Sequence, residues 1–256
     1  NNVLFIAHIY KKYNNDIINY MSIRRQDLAN GEMYHIYNRG VDKRDIFTDK
    51  NDIYRFLESI KEFNREEKIQ SLANLRKSSQ IEARPLSKKK PLVEVIAYCL
   101  NPNHFHLILK QVEDKGISKF MQKLSCGYSY YFNVKNNRSG SLFQGKFKSQ
   151  LIANENYFNR TVGYVNKNYL IHDIPENKKH LVFSGDFEYE NNKFDIISKK
   201  EGENILEVFG GLNKFKKHCD EIVFIIREER GKKSLLEDEN FNVVIESIPD
   251  RGKTSI

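Results

Sequence analysis

The stretch PLVEVIAYCLNPNHFHLILKQV, residues 91–112, constrains the fold of this chain more than any other segment. Two runs rich in large apolar and β-branched residues flank NPNH, in which Asn and Pro favour a tight turn. The pattern predicts a β-hairpin whose second strand begins with a pair of histidines. Because neighbouring side chains on a strand point to opposite faces, His104 and His106 share one face and Phe105 enters the other.

The segments on either side of this hairpin predict alternating strands and helices. Residues 33–39 alternate in polarity and predict a strand, and apolar residues at helical spacing from 53 to 63 predict a helix. Beyond the hairpin, the patterns predict a helix over 116–132, a loop and a short strand over 136–152, and a third helix capped by Asn154. The order strand, helix, strand, strand, helix, strand predicts an α+β, ferredoxin-like split βαβ sandwich, with an antiparallel sheet and helices on one face.

The chain divides into three parts by sequence character. Residues 1–20 precede the first Met, at position 21, and we interpret them as a poorly ordered N-terminal extension, although their apolar residues could instead pack as an extra helix. Residues 21–180 contain all the elements of the predicted sandwich. Residues 181–256 are more charged and mostly helical in pattern, so they predict a small accessory region.

The composition suits a protein that meets nucleic acid. Lys and Arg total 42 against 34 Asp and Glu, so the net charge is +8, and 14 Tyr and 17 Phe supply rings that can stack on bases. A solvated basic surface would explain the charge equally well. No stretch approaches the length of an apolar membrane span, which excludes an integral membrane protein.

The cysteines argue against two further classes of protein. Cys99, Cys126 and Cys219 are odd in number, widely spaced and without a CxxC pair, so a disulfide scaffold and a cysteine-rich zinc site are both disfavoured. We expect a reducing compartment, the cytosol of a bacterial-type cell, with the protein associated with the nucleoid. The sequence also lacks a GxxxxGK[ST] phosphate-binding loop, so we expect no nucleotide cofactor.

Two pairs of residues are candidates for chemistry. His104 and His106 offer imidazoles on one strand face, half of a site for Mg²⁺, Mn²⁺ or Zn²⁺, but histidines at a core edge that bind nothing show the same pattern. Tyr164 and Asn168 lie four residues apart on the predicted third helix, with Cβ atoms about 5–6 Å apart. Asn168 could therefore offer an oxygen ligand beside the Tyr164 hydroxyl; a half-buried aromatic and a helix-end cap are the alternatives.

Several blocks of the chain resemble one known family. YCLNPNHFHLILK is similar to the HUH motif (His, bulky hydrophobic, His) of single-tyrosine transposases, and YVNKNY resembles their catalytic helix, where a polar metal ligand follows the tyrosine by four positions. MYHIYNRGVDKRDIF and SGSLFQGKFKSQLI resemble the same group, the REP-associated tyrosine transposases and their insertion-sequence relatives. The blocks run in the family's order from about Met33 to about Leu170. Tyr169 stands where the family usually has Pro, which alters the exit of the helix but keeps the ligand match.

The resemblance implies a function and a set of site residues. It assigns Tyr164 as the nucleophile and His104, His106 and Asn168 as ligands of a divalent metal, Mg²⁺ or Mn²⁺. The implied reaction is cleavage and rejoining of single-stranded DNA, often beside a hairpin, through a 5′-phosphotyrosine intermediate. We therefore expect single-stranded or hairpin DNA as the partner and no membrane; a homodimer and a monomer both fit.

The chain offers other tyrosines and one further histidine as candidates. Tyr128, Tyr130 and Tyr131 are rival nucleophiles in the second helix, but their clustering favours packing or base stacking, and they lack a polar partner that matches the motif. His35 lies on the first strand, where resembling sequences often have His. We expect it near the site, and a packed or hydrogen-bonded histidine is the favoured interpretation.

Two segments carry the candidates for contact with DNA. Cationic residues surround the turn after the first strand, and the loop of residues 136–152 combines cations and aromatics with glycines that let a backbone approach closely. Phe143 could stack on a base or belong to the core. The candidate DNA-binding residues are Arg39, Lys43, Arg44, Arg138, Phe143, Gln144, Lys146 and Lys148.

Three other functions fit the same residues. A domesticated relative would bind hairpin DNA or RNA without mobilising DNA. A ferredoxin-like RNA-binding module would expose aromatics on its sheet and need no metal. A metal-dependent hydrolase would release its product without a covalent adduct.

Overall fold

One antiparallel sheet organises the molecule. The computed structural model describes residues 28–67, 72, 90–172 and 174–233, so the predicted N-terminal extension (residues 1–20) lies outside the described residues, as do residues 234–256. The sheet has five strands in the order β4-β1-β3-β2-β5. The strands are β1 Met33–Arg39, β2 Val93–Asn101, β3 His104–Gln111, β4 Lys148–Leu151 and β5 Phe183–Ser184.

The helices complete the predicted order. Within the described residues they are α1 Lys50–Phe63, α2 Gly116–Lys135, α3 Glu155–Asn166, α4 Asn168–Ile171, α5 Asp186–Glu190, α6 Lys199–Val208 and α7 Leu212–Lys233, with 3₁₀ helices at Val41–Lys43 and Glu176–Leu181. The succession β1, α1, β2, β3, α2, β4 with the strand order β4-β1-β3-β2 is that of a split βαβ sandwich. The predicted α+β fold with an antiparallel sheet is confirmed.

The central hairpin forms where the sequence predicts it. β2 and β3 pair antiparallel, with Asn101 opposite His104 and Cys99 opposite His106, and Pro102 and Asn103 form the turn. A slip of one residue in this register would send Phe105, which is fully buried, to the opposite face. The buried apolar face therefore holds the histidine pair in its orientation.

The two helices of the βαβ repeats pack against the Phe105 face of the sheet. Phe56 of α1 contacts Phe105, with ring centroids 5.2 Å apart, and Tyr128 of α2 meets Phe56 at 4.9 Å. Asp49 caps α1, since its carboxylate accepts a hydrogen bond from the Asp52 backbone N–H. The prediction of helices on one face holds for α1 and α2.

A further layer covers the opposite face of the sheet, the side on which the histidines lie. The ring of Tyr164, on α3, lies edge-on to His106 with centroids 5.4 Å apart. α7 packs on the outside of α3 so closely that a Cβ atom added to Gly163 would lie 3.0 Å from the side chain of Ile222. The histidine pair is therefore enclosed between the sheet and α3.

The described residues between 181 and 233 pack against the same sheet. β5 pairs with the edge of β2, with Cys99 opposite Ser184, and the Tyr189 hydroxyl donates to the Ile96 carbonyl oxygen at 2.8 Å. Leu181, Tyr189, Phe215 and Ile222 belong to the same buried core as the sheet. The proposed boundary at residue 180 stays a prediction about folding units. In the described ranges, no helix is both long and apolar enough to cross a membrane.

Candidate active site

Strand pairing gathers polar side chains on one face of the sheet. His104 lies between Asn101 of β2 and Arg39 of β1, and His106 has Tyr37 of β1 as its direct cross-strand partner. Cross-strand partners project to the same side of a sheet, so these residues form one polar patch in an otherwise apolar core. Lys148 of β4 pairs with Tyr37 and extends the patch to the sheet edge.

His104 is held by asparagines on both of its ring nitrogens. The Nδ1 atom lies 2.6 Å from Asn103 Oδ1, an acceptor, so Nδ1 carries the proton of the neutral ring. The Nε2 atom then presents its lone pair, 3.2 Å from Asn168 Oδ1 and 2.9 Å from Asn101 Nδ2. The Asn101 amide also donates to Asn168 Oδ1 at 2.8 Å, which links the strand to the start of α4.

His106 pairs with the third histidine of the sheet. His35 Nε2 lies 2.8 Å from His106 Nδ1, and the two rings stack with centroids 5.0 Å apart. If Nδ1 of His106 donates this hydrogen bond, Nε2 is left with the lone pair that a metal needs. His35 is only 1% exposed, and its Nδ1 is buried without a hydrogen-bond partner among the described residues. The expectation that His35 is packed or hydrogen-bonded agrees with this arrangement.

Tyr164 and Asn168 approach the histidines from the opposite layer. α3 ends at Asn166, Lys167 breaks the helix, and Asn168 begins the short α4. Tyr164 is 5% exposed, with its ring edge-on to both His106 and His35. Burial raises the pKa of Tyr164, whereas the positive charge of Arg230 and a hydrogen bond with Asn168 act to lower this pKa.

His172 completes a cluster that the sequence analysis missed. One ligand nitrogen from each of His104, His106 and His172 lies within 4.8 Å of the others. The ring centroids of His104 and His172 are 4.7 Å apart. The signal was present in the sequence, since His172 follows Asn168 by four residues and so returns to the same side of a helical turn.

The pKa values of the four histidines in this cluster are lowered, which favours their neutral forms. Burial lowers the pKa of His35 to about 3, of His104 to about 4 and of His172 to about 2. The pKa of His106 falls well below its usual value, first through burial and then through its histidine neighbours. Neutral imidazoles with converging nitrogens, together with the Asn168 amide oxygen, form a donor set that fits a divalent cation.

The rival tyrosines lie on the other side of the sheet. α2 packs on the Phe105 face, where the Tyr128 hydroxyl donates to the Ile46 carbonyl oxygen at 2.6 Å. The Tyr131 hydroxyl donates to the carboxylate of Asp52 at 3.1 Å, and Tyr130 is 74% exposed. The histidine pair faces away from all three.

Several of the candidate DNA-binding residues flank the polar patch. The side chains of Arg39 and Gln144 are hydrogen-bonded, and the Gln144 backbone N–H donates to the Arg39 carbonyl oxygen at 2.8 Å. The Lys148 ammonium lies 5.9 Å from the centre of the Tyr37 ring, which stacks on His106. Lys146 is exposed beside them. These residues extend the patch from the histidines to the solvent.

The remaining candidates have other surroundings. Lys43 and Arg44 are exposed on the turn after β1. The Arg138 guanidinium donates to Asn133 Oδ1 at 2.6 Å and to the Ser141 carbonyl oxygen at 3.1 Å, so it braces the loop after α2. A contact of these three residues with DNA stays a prediction.

Phe143 is a correction to the candidate DNA-binding set. It is 5% exposed, and its ring packs against Phe105 at 5.8 Å and Tyr128 at 6.4 Å. The core role, which the sequence left open, is the one that the structure supports. A base cannot stack on a ring that is already enclosed by other rings.

Part of the chain matches a known protein family. The family described as "Transposase IS200 like" matches residues 83–168, a segment that contains the histidine pair, Tyr164 and Asn168. This match confirms the resemblance to single-tyrosine transposases. The solved structure of a REP-associated tyrosine transposase bound to a REP hairpin is 17% identical, covers 70% of this chain and 91% of its own, and has a TM-score of 0.43. No curated protein sequence matches the chain.

Proposed function

We propose that this chain, whose residues 83–168 match the IS200-like transposases, is a metal-dependent transposase that cleaves and rejoins single-stranded DNA, next to hairpins. One observation carries the proposal. His104 and His106 of the sheet lie next to side chains of the helical layer: Asn168 is 3.2 Å from His104, and the Tyr164 ring is edge-on to His106. The tyrosine and the asparagine stand in the spacing that the transposase motif requires.

Tyr164 is the proposed nucleophile. Its hydroxyl oxygen forms a bond to a backbone phosphorus as the bond from phosphorus to the 3′-oxygen of the preceding nucleotide breaks. The products are a 5′-phosphotyrosine and, after that oxygen takes up a proton, a free 3′-OH. Attack of a second 3′-OH reverses the exchange, and because the covalent link preserves the bond energy, rejoining needs no ATP.

His104, His106 and Asn168 are the proposed ligands of Mg²⁺ or Mn²⁺. A bound divalent cation would polarise the scissile phosphate and stabilise the departing oxygen. The chain's own contribution is orientation, because Asn103 and His35 hold the Nδ1 atoms of the two histidines and leave the Nε2 atoms for ligation. The Asn101 amide fixes the Asn168 oxygen beside them.

The tyrosine requires help to ionise. A phenol with a pKa near 10 is about one part in a thousand ionised at pH 7, and burial raises the pKa of Tyr164 further. Arg230 and Asn168 act in the opposite direction. The side chain is only 5% exposed, so its oxygen must become more accessible before DNA can react with it.

The polar patch supplies a path for the strand. Arg39, Lys146 and Lys148 can neutralise phosphates, and Tyr37 offers a half-buried ring beside His106. This path begins at the proposed ligands and ends at the β4 edge of the sheet. A strand that follows it would bring a backbone phosphate to the histidine pair.

A second candidate function is a hairpin DNA- or RNA-binding protein without transposition. The burial of Tyr164 and its raised pKa favour this alternative, because an inert tyrosine needs no access to solvent. The intact set of histidines and Asn168 favours the enzyme.

A covalent adduct separates the two functions. Single-stranded DNA hairpins with randomised flanks, labelled at the 3′ end, are incubated with the full chain and Mg²⁺ or Mn²⁺, then run on a denaturing protein gel. A 5′-phosphotyrosine retains the 3′ fragment, so the protein band becomes labelled. We expect the label to need metal, to vanish in Tyr164→Phe and to persist in Tyr130→Phe, a matched change at an exposed tyrosine on the other face.

DNA binding is measured on the same variants by fluorescence anisotropy. Tyr164→Phe should bind DNA as the wild type does, since only the nucleophilic oxygen is removed. An adduct that persists in Tyr164→Phe would move the nucleophile elsewhere. Binding without an adduct across the whole hairpin pool would favour the binding protein.

A further inference from the structure

The strongest feature beyond the proposed ligand set is the imidazole of His172. It lies at the end of α4, with its ring 4.7 Å from that of His104. Its ligand nitrogen is within 4.8 Å of those of His104 and His106. Nitrogens that share one zinc ion lie about 3–4 Å apart, given Zn–N distances of about 2.0–2.1 Å. Small ring movements would therefore bring the three imidazoles to one ion.

The local backbone explains why His172 reaches this point. Asn168 and His172 are four residues apart, so one turn of helix brings both to the same side. That turn, α4, follows the break at Lys167, and the Leu170 N–H donates to the Lys167 carbonyl oxygen at 2.9 Å. His172 thus approaches the histidine pair along the same route as Asn168.

Contacts from the C-terminal part of the chain hold α4 in place. Lys167 forms an ion pair with Asp186 at 2.5 Å, and the Tyr169 hydroxyl donates to the same carboxylate at 3.4 Å. On the other side, the Arg230 guanidinium donates to the Ile171 carbonyl oxygen at 2.8 Å. Because α4 is tied at both ends, His172 is positioned by the fold.

We propose that His172 is a further ligand of the metal, so that three imidazoles and one amide oxygen make the site select Mn²⁺ and Zn²⁺ over Mg²⁺. This inference rests on the proposed metal site and deepens it. Imidazole nitrogens suit Zn²⁺ best and are accepted less strongly by Mn²⁺, whereas Mg²⁺ prefers oxygen ligands and keeps much of its water. Each nitrogen added to the donor set therefore widens the gap in affinity between the two groups of metals.

Calorimetric titration of the full chain with MnCl₂, ZnCl₂ and MgCl₂, without DNA, measures this preference. We expect His172→Ala to weaken Mn²⁺ and Zn²⁺ binding at least about tenfold, the minimum seen when even an outer residue of a metal site is lost, with a smaller effect on Mg²⁺. His172→Gln, which keeps a polar side chain of similar length, should also weaken the binding of Mn²⁺ and Zn²⁺ more than the binding of Mg²⁺. His180→Ala, at an exposed histidine on the same stretch, is the matched control and should bind as the wild type does.

Imidazole ¹⁵N spectra of the wild type report ligation directly, without reliance on a variant. Addition of ZnCl₂ should shift a ring nitrogen of His172 together with those of His104 and His106 and leave His180 unchanged. The His172 signal is assigned by its loss in His172→Gln. An unshifted His172 ring would overturn the inference.

The outcomes also separate this inference from the proposed function. If His172→Ala binds Mn²⁺ and Zn²⁺ as tightly as the wild type while His104→Ala loses binding, His172 is no ligand and the original metal site stands. If the wild type binds no cation, the inference and the metal part of the proposed function both fail. If the metal results are as expected but no Tyr164 adduct forms, His172 remains a ligand and strand transfer fails.

Discussion

At the scale of single residues, the candidate site depends on which ring nitrogen of each histidine is hydrogen-bonded to a neighbour and which one is left for a metal. The Nδ1 atom of His104 is hydrogen-bonded to Asn103, and the Nδ1 atom of His106 is hydrogen-bonded to His35. Contacts of this kind select the tautomer of a ligand histidine and hold its ring in place. Their loss therefore lowers metal affinity, although they do not touch the metal. We therefore predict that His35 acts as a positioning residue for His106.

Replacement of His35 tests this role. His35→Phe keeps a ring of similar size in the stack against His106 but removes the nitrogen that contacts Nδ1. We expect Mn²⁺ affinity to fall about 10–100-fold, as measured by calorimetry of the full chain. Tyr130→Phe, a ring change at an exposed tyrosine of α2 on the other side of the sheet, is the control. Unchanged affinity in His35→Phe would show that His106 keeps its orientation through packing alone.

At the scale of secondary-structure elements, the enclosure of the site depends on how closely α7 approaches α3. Gly163 allows that approach, because a Cβ atom at this position would lie 3.0 Å from Ile222. Gly163 directly precedes Tyr164, so the close contact with α7 lies next to the proposed nucleophile. Small residues permit such close helix contacts, although glycine costs helix stability relative to alanine by about 1 kcal/mol.

A larger residue at Gly163 should push the two helices apart. Gly163→Val is expected to lower the free energy of unfolding by about 1–3 kcal/mol, the usual cost of overpacking, as measured by urea denaturation. Ile222→Ala removes the Cγ1 atom that would lie 3.0 Å from the new Cβ atom but keeps its own Cβ, so the double variant should recover part of the lost stability and be more stable than the two single effects predict. Strict additivity in this cycle would show that the new side chain does not clash with the outer atoms of Ile222.

At the scale of the whole molecule, a net charge of +8 and the basic edge of the polar patch predict electrostatic binding of DNA. Cations that neutralise phosphates release condensed counterions, so affinity falls linearly with the logarithm of salt concentration. Within residues 181–233, β5 joins the sheet and α7 packs over α3, so this segment belongs to the same core as the sheet that carries the patch.

Titration of single-stranded DNA binding at several salt concentrations tests this prediction. We expect a slope of about −0.7 per neutralised phosphate in a double-logarithmic plot. The double variant Lys146→Ala and Lys148→Ala should neutralise one or two fewer phosphates, so the slope should become less negative by about 0.7–1.4. Lys199→Ala, an exposed lysine on α6, is the control. A flat salt response in the wild type would exclude a strand path along cationic side chains.

Local pattern was enough to determine much of this protein. Alternation along the strand predicted that His104 and His106 face one way and Phe105 the other. Helical spacing predicted that Asn168 lies close to Tyr164, and NPNH predicted the turn. These features depend on neighbours within a few residues, where strand and helix periods alone decide the direction of a side chain.

Only the tertiary structure decided which faces meet. It placed α3 on the histidine face rather than beside α1 and α2, brought His35 to His106 and His172 to His104, and buried Phe143 among Phe105 and Tyr128. The sequence of Phe143 and its neighbours was compatible with both the surface and the core. Such contacts join residues far apart in the chain, and they are selected by how apolar surfaces pack together, which no local period records.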